Sequence, residues 1–214
     1  MVWNVAWNPT KPLLASCSAD KSVQLYHYTS SFPLRFSLAT SIPTEHSRTV
    51  RAIAWAPSGE TLATASFDSN IGIWERARED GEDKEKSARG EWECVSTLEG
   101  HETECKSVAY SCTGTLLASC SRDKTVWIWE GMFCVLYISP LYLLIRVVQP
   151  DAEFECLGVL MHHSQDIKHV AWHPKEEVAF VPFSVNFDLD LCIYLHRIDA
   201  CLRFVRRYHK PLFR

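Results

Sequence analysis

Residues 116–129, LLASCSRDKTVWIW, are the stretch of this sequence that decides its fold. Two other stretches repeat its pattern: residues 13–26 read LLASCSADKSVQLY and residues 61–74 read TLATASFDSNIGIW. Each contains a short apolar run, a polar turn with an aspartate, and a second apolar run that ends in an aromatic residue. Short β-branched and aromatic runs around an Asp, Asn or Ser turn predict two antiparallel strands. The sequence therefore predicts a repeated strand–turn–strand unit.

Outward from these turns, other residue types recur at constant distances. An aromatic residue, the anchor aromatic, lies 13 positions before each turn aspartate. A histidine lies nine positions before the anchor aromatic in every copy except the first, and a fourth copy keeps both residues as His163 and Trp172. Constant offsets within copies and variable gaps between them indicate one supersecondary unit, repeated and joined by tolerant loops. The four anchor aromatics are Trp7, Trp55, Tyr110 and Trp172.

This pattern resembles the WD40 repeat family. Gly100-His101 matches the Gly-His start of the repeat, and Trp74-Glu75 and Trp129-Glu130 stand where the family has Trp-Asp. The resemblance implies an all-β WD40 β-propeller, which has seven blades in the family, with about three and a half recognisable here. It also implies a hydrogen-bonded network within each blade. The two sets that carry over are His46, Thr64, Asp68 and Trp74, and His101, Ser119, Asp123 and Trp129.

The residue identities inside the repeats indicate a narrower family. The runs HSRTVR (46–51), TLEGHE (97–102) and HSQDIKHVAWHP (163–174) together resemble the WD40 proteins of the cytosolic iron–sulfur protein assembly targeting complex. The resemblance implies a non-catalytic scaffold that mediates insertion of iron–sulfur clusters into cytosolic and nuclear apo-proteins. Its implied partners are a cluster-carrier protein, the targeting-complex adaptors and the apo client proteins. Its implied location is the cytoplasm, with the nucleus as a further possibility.

The repeats divide the chain into four parts. Residues 1–130 are predicted to form blades one to three, the first without its opening segment, and residues 150–177 to begin a fourth blade. Residues 131–149 form an apolar insert, and the repeat pattern is lost over residues 178–214. The apolar run is shorter than the roughly 20 residues that span a bilayer, so a buried strand pair or an aberrant insert is favoured over a membrane segment. The broken spacing predicts a truncated or mis-spliced form.

The net charge and the cysteine spacing limit the kinds of site that the chain is expected to contain. The net charge of −4 gives no basic excess, which argues against general nucleic-acid binding. The nine cysteines include no Cys-x-x-Cys pair and no zinc-like Cys/His spacing, so free thiols in a reducing cytosol are expected. Cys17 and Cys120 occupy the same repeat position, which is typical of packing residues rather than of cluster ligands converging on one site. We therefore predict no metal, no cofactor and no catalytic residues.

Several cations and one aromatic residue occupy equivalent repeat positions, and we predict that they form a partner-binding rim. Trp3, Arg51, Lys106 and Lys168 each stand four residues before an anchor aromatic, and Arg122 directly precedes a turn aspartate. Cations and aromatics are frequent in interface hot spots, so this rim is predicted to receive an acidic or C-terminal peptide. The alternative is that these side chains only solvate strand ends.

The sequence alone leaves three other interpretations open. The chain could be an unrelated WD40 adaptor of a ubiquitin ligase or a signalling complex. It could be a hydrolase that uses a His, an Asp and a Ser, although buried, mutually paired polar groups favour a structural network. It could also be a mis-spliced product with no function.

Overall fold

The computed structural model describes residues 1–29, 32–77, 91–131, 133–138, 143–148, 154–175, 179–181, 191–198 and 201–207, with side chains in 1–29, 32–77, 91–131 and 154–175. Its regular elements are strands, arranged in four antiparallel sheets of four strands and one separate hairpin. Among the described residues, no helix is long and apolar enough to cross a membrane.

The four-stranded sheets are called blades and numbered along the chain. Blade one contains β1 (Val2–Trp7), β2 (Leu13–Ser18), β3 (Ser22–Thr29) and β4 (Arg35–Pro43). Blade two contains β5 (Val50–Trp55), β6 (Thr61–Ser66), β7 (Ile71–Arg76) and β8 (Trp92–Leu98). Blade three contains β9 (Cys105–Tyr110), β10 (Leu116–Ser121), β11 (Val126–Gly131) and β14 (Phe154–Leu160), and between the last two lies the hairpin of β12 (Phe133–Ile138) and β13 (Leu143–Val148). Blade four contains β15 (Ala171–Trp172), β16 (Ala179–Val181), β17 (Leu191–Ile198) and β18 (Cys201–Arg207).

The blades are arranged around their first strands. β1 contacts β5, β5 contacts β9, and β9 contacts β15, so the first strand of each blade is its inner strand. Indole N–H groups tie these strands together: Trp55 Nε1 donates to the carbonyl of Ala6 at 3.1 Å, and Trp172 Nε1 donates to the carbonyl of Ala109 at 2.8 Å. Antiparallel blades repeated around adjacent inner strands are the architecture of a β-propeller. The all-β propeller prediction is confirmed, with an incomplete ring of blades.

The outer strand of blade three shows how repeats and blades are offset. β14 pairs with β11, from Val126 opposite Leu160 to Gly131 opposite Phe154, although the β12–β13 hairpin separates them in the chain. The repeat unit of the sequence therefore begins with the outer strand of the preceding blade, and residues 150–177 contribute to two blades. In the part of the chain that the structure describes, the strands of residues 178–214 pair with each other and with β15. The four-part division of the chain remains a prediction.

The turn aspartates explain why the second and third strands of each blade form a tight hairpin. A carboxylate oxygen of Asp20, Asp68 and Asp123 accepts the backbone N–H two residues later, at 3.0, 3.1 and 2.9 Å respectively. Such Asx turns stabilise left-handed backbone at the intervening residue. That residue has a positive φ in all three turns: 69° at Lys21, 78° at Ser69 and 71° at Lys124.

Apolar side chains pack between neighbouring blades. One cluster joins blades one and two through residues such as Leu25 and Leu62, and a second joins blades two and three through residues such as Ile73 and Leu117. A third covers the next face of blade three, where Ile167 and Val170 pack on Ile128. The other face of blade one is exposed within the described residues, and its large apolar side chains there are Val5, Trp7, Phe36 and Leu38.

Candidate functional site

The predicted networks lie inside blades two and three. In blade three, His101 Nδ1 is 2.8 Å from Asp123 Oδ2 and His101 Nε2 is 2.9 Å from Ser119 Oγ, which also accepts the Trp129 indole N–H at 2.9 Å. Because a carboxylate only accepts, His101 donates from Nδ1 to Asp123, and its Nε2 shares a hydrogen bond with the Ser119 hydroxyl. Each polar group of the network is therefore satisfied. Gly100 is required beside it, because a Cβ there would lie 2.4 Å from the Trp127 ring.

Blade two repeats this geometry with a threonine in place of the serine. His46 lies 3.1 Å from Asp68 and 2.8 Å from Thr64 Oγ1, which accepts the Trp74 indole N–H at 2.9 Å. The sequence prediction placed these eight residues in two sets, and the structure brings each set together.

The order Asp–His–Ser is that of a hydrolase triad, but the surroundings differ. Ser119 and Thr64 are fully buried, and His46 and His101 are nearly so. A nucleophile needs an oxygen that a substrate can reach, whereas this hydroxyl is covered by the indole that bonds to it. The arrangement can therefore hold together the loop before the inner strand, the turn and the two middle strands, and its hydroxyl is buried away from solvent.

Hydrogen bonding sets the protonation of the turn aspartates. Burial raises the pKa of Asp68 and of Asp123, but the hydrogen bonds and charge of the paired histidine, with the turn N–H groups, outweigh it and lower each pKa to about 2. Both carboxylates therefore stay ionised at neutral pH and act as fixed acceptors.

The rim lies at the end of the blades where these turns are found. Trp3, Arg51 and Lys106 are each the extra residue of a β-bulge in an inner strand: Val2 and Asn4 lie opposite consecutive residues of β2, as do Val50 and Ala52 on β6, and Cys105 and Ser107 on β10. A bulge turns the side chain of the extra residue away from the regular pleat. The register that the sequence revealed therefore corresponds to a repeated bulge at this end of the inner strands.

Most of the rim cations are already engaged. Lys106 Nζ is 2.6 Å from Asp166 of the next inner segment, and Arg122 Nη1 is 3.5 Å from Glu104. Lys168 is exposed and has no ion pair within the described residues. Arg51 stacks on Trp3, with its guanidinium carbon 4.9 Å from the ring centroid. The rim is therefore a mixed-charge surface with aromatic groups rather than a purely basic one.

Sequence reasoning missed three rim residues that the structure places there. Glu104 bridges Arg122 and Arg48, whose Nη2 lies 3.3 Å from Glu104 Oε1, and Asp166 holds Lys106. Glu104 and Asp166 each stand six residues before an anchor aromatic, so their shared register was a signal in the sequence.

Three cysteines are placed as packing residues. Cys17, Cys105 and Cys120 are fully buried, and burial raises the pKa of all three, that of Cys17 to about 12. Cluster ligands are thiolates, which a buried apolar site disfavours. Over the described ranges, no group of three or more His, Cys, Asp or Glu side chains is placed to hold a metal ion.

Comparison with known protein families finds the repeats that the sequence pattern indicated in residues 1–130. The WD domain, G-beta repeat family matches residues 1–27, 38–75 and 92–130. The chain superposes on the WD40 repeats of RRP9 with a TM-score of 0.59 and 17% identity, covering 84% of this chain and 44% of that one. This likeness concerns the fold alone.

Several curated relatives are named for cytosolic iron–sulfur assembly. The chain is 47% identical over 184 residues to "Probable cytosolic iron-sulfur protein assembly protein 1" of Cryptococcus neoformans, covering 71% of this chain and 38% of the relative. It is 62% identical over 96 residues to the protein of that name in Malassezia globosa, covering 45% and 27%. It is 45% identical to "Probable cytosolic Fe-S cluster assembly factor" of Schizosaccharomyces japonicus, covering 61% and 19%. The chain thus spans less than two fifths of the length of these relatives.

Proposed function

The chain is a WD40-repeat protein, and on that premise we propose that it is a non-catalytic propeller scaffold of the cytosolic iron–sulfur cluster assembly machinery. As a scaffold it holds assembly factors and apo-proteins together so that clusters are inserted into cytosolic and nuclear clients. The observation that carries the scaffold role is that the Asp–His–Ser/Thr sets, which could suggest catalysis, are buried and satisfied within blades. The names of the relatives support the pathway.

The rim is the surface proposed to bind partners. We propose that Trp3, Arg51, Lys106, Arg122 and Lys168 form one binding surface at this end of the blades, and that it receives an acidic or C-terminal peptide of a partner. Partners in this proposal are a cluster-carrier protein, targeting-complex adaptors and apo clients. The location proposed is the cytoplasm and, for nuclear clients, the nucleus.

Affinity capture tests this proposal. The tagged full chain is expressed in a fungal cell, and captured proteins are identified by mass spectrometry. Enrichment of iron–sulfur assembly factors is expected. A cullin or kinase set without assembly factors would instead favour another WD40 adaptor, and a chain recovered only as insoluble or degraded material would favour a non-functional fragment.

A matched pair of variants separates rim binding from general charge effects. Lys106→Glu reverses a cation at the rim, and Arg76→Glu makes the same charge change at the opposite end of blade two, where Arg76 is exposed. Capture of assembly factors should fall for Lys106→Glu and stay unchanged for Arg76→Glu. Equal capture by both variants would place the interface elsewhere.

A further inference from the structure

Arg51 differs from the other engaged rim cations in its partner. Arg122 and Lys106 each lie next to a carboxylate, Glu104 or Asp166, that stands six residues before an anchor aromatic. Lys106 is the bulge residue of blade three, and its partner Asp166 lies in the segment that leads into blade four. Arg51 is the bulge residue of blade two, so the equivalent partner would be Glu104, in the segment that leads into blade three. Glu104 is instead bonded to Arg48 and Arg122. Within the described residues, Arg51 has no hydrogen bond and no ion pair.

The guanidinium of Arg51 is nevertheless held in place. It stacks on the Trp3 ring at 4.9 Å, and Trp3 in turn packs against Phe67, with ring centroids 6.2 Å apart. Arg48 lies over the other ring of this series, 6.0 Å from the Phe67 centroid. Stacking on an aromatic ring uses the face of a guanidinium and leaves its N–H edge available for a planar acceptor.

We propose that Arg51, stacked on Trp3 and flanked by Phe67, is a subsite for one carboxylate side chain of a partner protein, with an apolar neighbour of that residue resting on the two rings. The proposal rests on the rim function above and names the chemistry recognised there. Trp3 is 39% exposed and Arg51 is half-buried, so both can be reached from solvent. A carboxylate matches the fork of a single guanidinium in a bidentate pair.

A phosphate group fits this position less well. A phosphorylated side chain carries nearly two negative charges and is usually held by several cations. Here Lys106, Arg122 and Arg48 are already paired with Asp166 or Glu104, and the Glu104 carboxylate would repel a dianion. The internal pairs at the neighbouring junctions also show that this rim accommodates carboxylates.

Peptide binding to the purified full chain tests the subsite. Three fluorescein-labelled, amidated hexapeptides are compared by fluorescence anisotropy: one alternating aspartate with leucine, one with asparagine in place of aspartate, and one with phosphoserine in its place. The aspartate peptide should bind most tightly. Arg51→Gln should weaken its binding about tenfold or more, because the variant loses the charge-assisted hydrogen bonds of the guanidinium to the carboxylate.

Conservative and remote variants complete the design. Arg51→Lys keeps the charge but loses the fork and the stacking, so a clear loss of affinity is expected, and Trp3→Leu should have a similar effect. Arg76→Glu should bind like the wild type. Thermal melting of each variant confirms that it is folded.

Several outcomes would overturn the subsite. Equal binding of the asparagine peptide, tighter binding of the phosphoserine peptide, unchanged affinity in Arg51→Gln, or no binding of the aspartate peptide at millimolar concentration would each do so. Failure of the scaffold role is a separate result: the wild-type chain would capture no assembly factors although the aspartate peptide still bound to Arg51. Failure of the subsite alone would leave that capture intact in Arg51→Gln.

Discussion

The same hexapeptide, LLASCS, occurs twice in this chain and lies in two different surroundings. It forms β2 of blade one and β10 of blade three. In blade three all six residues are buried, whereas in blade one they alternate between buried and half-buried. Blade three is covered on both faces by its neighbours, and among the described residues blade one is covered on one face only. Burial in this protein is therefore decided by the neighbouring blades rather than by the strand sequence.

The polar network follows the same rule. Ser119 bonds to His101 and Trp129, while the equivalent Ser16 has no side-chain hydrogen bond within the described part of the chain. The residue equivalent to Trp129 is Tyr26, whose hydroxyl donates to Gln24 instead. An identical strand thus takes part in a network only where a histidine and an indole are supplied from outside it.

The largest difference is expected between the second leucines of the two strands. Leu117 is fully buried between blades two and three, whereas Leu14 is half-buried. Leu117→Ala should lower the free energy of unfolding by about 2–5 kcal/mol, and Leu14→Ala by less than about 1 kcal/mol. Urea unfolding followed by tryptophan fluorescence measures both. Equal losses would show that blade one is covered as fully as blade three.

On acidification, a smaller difference in unfolding free energy is expected between variants of two turn aspartates, Asp123 and Asp20. The pKa of Asp123 is about 2 in the folded chain against an ordinary value of 3.8, so its contribution is present above pH 3.8 and is lost as pH falls towards 2. The wild type should exceed Asp123→Asn in unfolding free energy by up to about 2 kcal/mol at pH 6, and this gap should close near pH 2.

Asp20→Asn is the matched control for that measurement. Asp20 is exposed and, among the residues that the structure describes, its carboxylate bonds to Ser22 alone, so its replacement should change stability little at either pH. A gap between wild type and Asp123→Asn that did not change with pH would contradict an ionised Asp123 carboxylate held by His101.

Much of this comparison could be predicted from the sequence, because it depends on local offsets. The separations of 18 residues from histidine to hydroxyl and 22 from histidine to aspartate recur in both networks. Each spans one hairpin of fixed length, so the geometry follows once the strands are paired. The turn aspartates were found for the same reason.

Contacts between blades were not predictable in the same way. The Lys106–Asp166 pair joins residues 60 positions apart, and β14 reaches β11 only after an intervening hairpin. A single sequence carries no signal for such distances beyond register. The bulges were also hidden, because an extra residue is defined by the strand opposite it. The rim seemed more basic than it is because Glu104 and Asp166, which pair with its cations, were not included in it.

The smallest effect on stability is expected at the rim. The Arg122 side chain is 62% exposed and lies 3.5 Å from Glu104, a surface pair that contributes little. Arg122→Glu should change the unfolding free energy by less than about 0.5 kcal/mol while reducing capture of assembly factors. Parallel losses of melting temperature and capture would mean that Arg122 supports the blade and does not bind a partner.

The central proposal, that each buried network holds its own blade together and does not catalyse, is tested most directly by one matched pair within the repeated hexapeptide. Ser119→Ala removes the partner of both His101 Nε2 and the Trp129 N–H, so the unfolding free energy should fall by about 1–3 kcal/mol. Ser16→Ala should cost less than about 0.5 kcal/mol. Equal small effects of the two substitutions, with a hydrolytic activity lost only in a stable Ser119→Ala protein, would contradict the account.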